Sequence, residues 1–238
     1  MKPFFEVSVL KFTRIIDLSA PLDPRTVWMR EDEADPVEEG SGLWGRERES
    51  RAWRETLKVE RWLEPPPNQG LLEFLTINVH TGTHVDSEYQ QDPKGQMLSE
   101  MPLDAFCGEA TVLDMSFVGA GNMILESHVK RFEKEVESAD AIFMFSDYPR
   151  RRDAPVLGEE SAMWLADSGI KAFGTGGMSI YHDRRTHDLC HRRRLAVYDR
   201  LDTDGLRTIS GRRVFFVGFP LRISYLAASP CRVIAFEE

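Results

Sequence analysis

No apolar run in this chain approaches the ~20 residues needed to cross a bilayer, which argues against a helical membrane anchor. The opening stretch MKPFFEVSVLKFTR has an early lysine, but no sustained apolar segment and no small-residue cleavage site. No signal peptide is therefore expected. Cysteine is scarce. Cys107, Cys190 and Cys231 are far apart and odd in number, which suits neither a disulfide framework nor CxxC metal spacing. Reduced thiols and a cytoplasmic address are the expectation. Basic charge is also short, 30 Lys and Arg against 39 Asp and Glu for a net charge of −9. That balance argues against non-specific nucleic-acid binding, because a phosphate backbone rewards a basic surface. Histidine is rare too, at 6 residues, so any two placed close together carry information.

The 238 residues are enough for one substantial core, and 42% hydrophobic with 29% charged content is that of a globular chain. A single domain spanning 1–238 is expected. FTRIIDLSAPL (12–22) reads as a strand stopped by Pro21. Residues 23–70 read as a long excursion, a lid or an oligomer contact. It holds the acidic run EDEADPVEE, the tryptophans Trp44, Trp53 and Trp62, and Pro65–Pro66–Pro67. It is expected to be partly helical over Glu47–Trp62 and to end in a stiff polyproline turn. LLEFLTINV (71–79) alternates like a half-buried strand. ATVLDMS (110–116), IKAFGT (170–175), VFFVGF (214–219) and CRVIAF (231–236) are further strands, and AIFMF (141–145) is one covered on both faces. Leu125–Glu137 has an amphipathic helical period, and Glu159–Ser168 is a helix closed by Gly169. Strands and helices alternate, so the class is α/β, with several antiparallel strands near the C-terminus.

The segment His80–Thr81–Gly82–Thr83–His84–Val85–Asp86 follows the 71–79 strand directly. Two imidazoles and a carboxylate suit zinc, manganese or iron, and three protein ligands leave a position open for water or substrate. Gly82 argues for a turn that brings both rings together, with Thr81 and Thr83 able to fix it through their hydroxyls. His84 and Asp86 are two apart, so an extended backbone points both to one side.

With these residues in view, the chain resembles the cyclase or kynurenine formamidase family of metal-dependent hydrolases, whose signature is HxGTHxDxPxH. Residues 80–86 match its first half. Further matches run in order: IDLSAPL, PPP, MPLDAF with GEATVLDMS, AIFMFSD, WLADSGIKAFGTGGMSI, FFVGFPLRI and SPCRVIAF. The resemblance implies a swivelling β/β/α domain with a β-barrel-like core, a homodimer or homotetramer, and one or two Zn or Mn ions per chain. His80, His84 and Asp86 would hold the first ion. The family's second ion takes a histidine and a glutamate 12 positions later, and His187 and Asp199 have that spacing here, with His191 a competing ligand. The match then breaks. Glu88 and Gln90 stand where the family has proline and its proton-carrying histidine, and Gly176 replaces a usual acidic residue. Glutamine donates and accepts hydrogen bonds but carries no titrating proton. Gln90 thus holds the catalytic position without a proton to give, and Glu88, His182 or a metal-bound hydroxide acting alone are the candidates for the proton step.

Other patterns carry less. Ser179, His182 and Asp183 lack a nucleophile elbow. GTGGMS (174–179) lacks the lysine of a P-loop and reads as a tight turn. Arginines at 150–152, 184–185 and 192–194 suit either a solvated face or an anionic substrate. The sequence thus leaves three functions in play: a hydrolase of a small amide, formamide, lactam or lactone; a ring-closing enzyme using the metal to stabilise an enolate; and a metal or small-molecule binding protein. The expected partner is a small, anionic or aromatic molecule, with no nucleic acid and no membrane.

Overall fold

The computed structural model describes residues 12–22, 57–63, 70–148, 153–178 and 194–237. The strands are β1 (Arg14–Asp17), β2 (Leu57–Leu63), β3 (Leu71–Ile77), β4 (His84–Asp86), β5 (Cys107–Asp114), β6 (Met123–Ile124) and β7 (Ala141–Phe145). After them come β8 (Val156–Leu157), β9 (Ala172–Gly176), β10 (Ala196–Asp199), β11 (Arg213–Val217), β12 (Ala228–Pro230) and β13 (Ile234–Glu237). Nine of them form one mixed sheet, ordered β1-β13-β11-β5-β7-β9-β10-β4-β12, curled into a half-barrel. Its middle, β5-β7-β9-β10, is parallel, and both flanks are antiparallel. The class is α/β with a barrel-like core, as the resemblance implied.

The curl has a visible fastening. Ser19, just past the edge strand β1, bridges Leu201 just past β10, so one end of the sheet returns to its far side. Leu18 N–H donates to Val233 C=O at 2.8 Å, and Asp202 N–H donates back to Leu18 C=O at 2.9 Å.

All five residues of β7 are buried, as its unbroken apolar run predicts. Alternation splits them: Ala141, Phe143 and Phe145 enter the core inside the curl with Val85, Phe106, Tyr198 and Phe216. Ile142 and Met144 enter a second core with Leu113, Leu157, Leu165 and Phe173. The helix Glu159–Asp167 lies over that second face, and Gly169, at φ 87°, ends it in the left-handed conformation that glycine tolerates.

Several boundaries differ from the sequence reading. The stretch 57–62, expected to be helical, is the strand β2, in register with β3 from Leu57↔Ile77 to Leu63↔Leu71. Val59, Arg61 and their cross-strand partners supply the alternation a hairpin needs, and pairing overrides local helical preference. Residues 23–56 and 64–69 of the excursion, with its polyproline turn, are outside the described residues. β3 is not half-buried: Leu71, Leu72, Phe74 and Leu75 are all exposed, as is Trp62 on β2. The helix expected over 125–137 is broken into Glu126–Val129 and Glu133–Val136 around a 3₁₀ turn. The first strand is also shorter than read, because Ser19 and Ala20 turn away to close the barrel.

Candidate metal centre

β4 is His-Val-Asp, three buried residues hydrogen-bonded to β10 on one side and β12 on the other. Its period of two sends Val85 into the core and leaves His84 and Asp86 together on the opposite face. The turn before it is built from its own residues. Asn78 uses its side-chain oxygen to accept His80 N–H at 2.9 Å and its carbonyl to accept Thr81 N–H at 2.9 Å. Gly82 has φ 65°, where a β-carbon is strained and would meet Leu22 Cδ2 at 2.5 Å. Its carbonyl then turns back and accepts the Nδ1–H of His84 at 2.7 Å. That bond sets the tautomer, so Nε2 presents its lone pair.

Three donors converge. His80 Nδ1 is 3.2 Å and His84 Nε2 is 3.6 Å from Asp86 Oδ1. The two rings stand edge to face with centroids 5.2 Å apart, and all three ligand atoms lie within 4.8 Å of one another. Two donors on one tetrahedral ion at ~2.1 Å stand about 3.4 Å apart, so the spacing and the N, N, O chemistry fit a divalent cation. Asp86 is fully buried and His84 nearly so, whereas the His80 side chain keeps 32% of its exposure. The centre therefore opens to solvent on the His80 side.

The other sequence candidates fall differently. Asp199 sits opposite His84 in the β10–β4 register, which places it on the same face. Its Oδ1 accepts the Thr175 hydroxyl at 3.3 Å and the Arg200 N–H at 2.9 Å, and it is not one of the three converging donors. His187, His191 and His182 are outside the described residues, as is the Ser179–His182–Asp183 grouping. Glu88 accepts Gln96 N–H at 3.2 Å through Oε2, which ties it to the turn after the one-turn helix Glu88–Gln90. Gln90 buries its Oε1 with no hydrogen-bond partner among the described residues. Of the glycine-rich 174–179 run, residues 174–178 are described, as the end of β9 followed by a bend at Gly177, at φ 62°, and Ser179 lies outside the described residues.

Sequence reasoning missed three supports. Asn78 was signalled by its place just before the histidine turn, where asparagine caps its own backbone. Cys231, next to β12, donates its N–H to Thr83 C=O at 3.2 Å. Burial and, secondarily, the Asp86 charge push its thiol up to about 12. Tyr198 lies beneath Asp199, its hydroxyl donating to Gly218 C=O at 2.7 Å, and burial holds its proton well above the usual phenol range.

These two groups set an alkaline limit. An unfolded thiol loses its proton near pH ~8.5, whereas the folded Cys231 keeps it to about 12. The native state thus binds more protons across that window, and stability falls as pH rises. In metal-free protein the slope contributed by Cys231 approaches about 1.4 kcal/mol per pH unit. Urea midpoints from pH 8 to 11 should fall less steeply in Cys231→Ala; an unchanged slope would place the titrating group elsewhere.

A half-barrel α/β domain with a buried His-His-Asp centre beside its parallel strands defines the class. The chain belongs to the Cyclase family ("Putative cyclase"), whose model matches residues 16–182. It is similar to the kynurenine formamidase of Paracidovorax citrulli, 26% identical over 223 residues that cover 89% of this chain and 96% of the relative. Among solved structures, isatin hydrolase A of Labrenzia aggregata bound to benzyl benzoate superposes with a TM-score of 0.69 at 21% identity. The match covers 94% of this chain and 93% of that one. A potential metal-dependent hydrolase with cyclase activity matches at a TM-score of 0.67 and 19% identity, covering 94% and 98%. No helix among the described residues is long and apolar enough to cross a membrane.

Proposed function

We propose that this protein is a metal-dependent hydrolase that opens a small amide, formamide, lactam or lactone at the His80–His84–Asp86 centre. The convergence of those three donors on one partly open, otherwise buried point carries the reading. A zinc or manganese ion bound there supplies carbonyl polarisation and an activated water at neutral pH. The chain's own residues do the rest. Gly82 fixes the His84 ring, β10 and β12 hold the ligand strand from both sides, and the His80 side admits the substrate. Gln90, four residues beyond Asp86, offers a buried carbonyl acceptor for a substrate N–H. Relatives named for formamidase and isatin hydrolase activity support amide chemistry. The second ion implied by the resemblance would take Asp199, which lies opposite His84 in the β10–β4 register, together with His187. The exposed apolar hairpin β2–β3 supports a homo-oligomer.

One observation favours ring closure as a second reading. Gln90 cannot hand a proton to a leaving group, and cyclisation through an enolate needs that step less than amide hydrolysis does.

The test is a panel of formamides, lactams and lactones, assayed after chelation and after reloading with zinc or manganese. Hydrolysis is expected to vanish on chelation and return with metal. Loaded protein that binds a panel member but releases it unchanged would remove the hydrolase reading. Cyclised product would select the alternative.

A further inference from the structure

Thr83 is joined to three distant parts of the chain. Its hydroxyl donates to Arg200 C=O at 2.6 Å, past the end of β10, and accepts Ala20 N–H at 3.0 Å, past the end of β1. Its own carbonyl accepts Cys231 N–H at 3.2 Å, past the end of β12. These are the segments that close the half-barrel, since Ser19 bridges Leu201 one residue away on each side. Thr83 itself is 3% exposed.

We propose that Thr83 is the positioning residue of the metal centre, and that its hydroxyl sets the affinity for the ion. This rests on the metal reading above. β4 is three residues long, and the backbone entering it turns through a left-handed glycine at Gly82. Glycine gives that turn freedom that must be removed if the His84 ring is to stay aligned. The Gly82 carbonyl orients the ring, but the Gly82–Thr83 segment needs its own anchor, and the Thr83 hydroxyl provides one to each of two segments far away in sequence. The same bond fixes Arg200, whose φ of 58° is a conformation a side-chain-bearing residue adopts when its surroundings impose it. Arg200 N–H is held by Asp199 at 2.9 Å, so the anchor runs from the ligand turn to the carboxylate opposite His84. A valine keeps the shape of Thr83 and deletes both hydroxyl bonds.

The experiment titrates chelator-stripped full-length protein with Zn²⁺ against a chromophoric competitor, which reads affinity without turnover. Thr83→Val is expected to weaken the Zn²⁺ dissociation constant at least about tenfold, the scale seen when a ligand loses its orienting partner. Thr83→Ser, which keeps the hydroxyl, should stay within about threefold of the parent. Val136→Ala, a buried cavity in the other core, should lower thermal stability and leave Zn²⁺ affinity unchanged. Should the valine variant not fold, the serine variant decides alone, and a tenfold loss there overturns the proposal. It is also overturned if Thr83→Val binds like the parent, or if Val136→Ala weakens binding as much. A parent protein that takes up no Zn²⁺ sinks the metal reading instead, a result distinct from all of these.

Discussion

His84→Ala is expected to lose bound metal and turnover together while the fold survives. His84 is tightly constrained: nearly buried, oriented by a 2.7 Å bond to Gly82, and flanked in register by Asp199 and Pro230. Removing a group that merely orients a ligand lowers metal affinity by about 10–100-fold. Removing the ligand itself should exceed that, leaving under a tenth of the parent's metal after dialysis. Folding should feel much less. One hydrogen bond of about 1 kcal/mol and a small void are lost, which in a chain of this size lowers Tm by about 2–6 °C. Elemental analysis together with circular dichroism measures both quantities. Normal metal content in a folded variant would move the ligand set away from β4.

The convergence of His80, His84 and Asp86 was readable in advance because its geometry is local. His84 and Asp86 needed only an extended backbone, and Gly82 announced the turn. The five apolar residues of β7 and the helix ended by Gly169 were readable for the same reason. What escaped depends on pairing between distant segments. β10 and β12 are four and three residues long, too short to show a period, yet they hold β4 in place. β2 carries charges that suit a helix, and its register with β3 makes it a strand. Thr83 was read as a local brace, whereas its hydroxyl reaches residues 63 and 117 positions away. Asp199 entered by resemblance, and what the sequence could not show is that the β10–β4 register puts it opposite His84.

Phe143→Ala should show the largest loss of stability, because it empties the point where the two halves of the sheet meet inside the curl. Phe143 is fully buried on the central strand β7 and packs edge-on against Phe216 at 5.1 Å and Tyr198 at 5.9 Å. Truncating a buried phenylalanine costs about 3–5 kcal/mol, the transfer term plus the cavity left behind. Part of that loss is the two edge-on aromatic pairs, at about 0.5–1.5 kcal/mol each. Thermal unfolding should therefore shift down by roughly 6–20 °C. The consequence for the centre is what makes this variant informative. Tyr198 connects this cluster to Asp199 in sequence and to Val85 across the β10–β4 pairing, while its hydroxyl is separately tied to Gly218. If those bonds hold β10 in place, the variant loses stability but keeps its Zn²⁺ affinity at 15 °C within about threefold. A parallel loss of affinity would mean that packing inside the curl, and not the hydrogen-bonded turn around Gly82 and Thr83, sets the positions of the ligands.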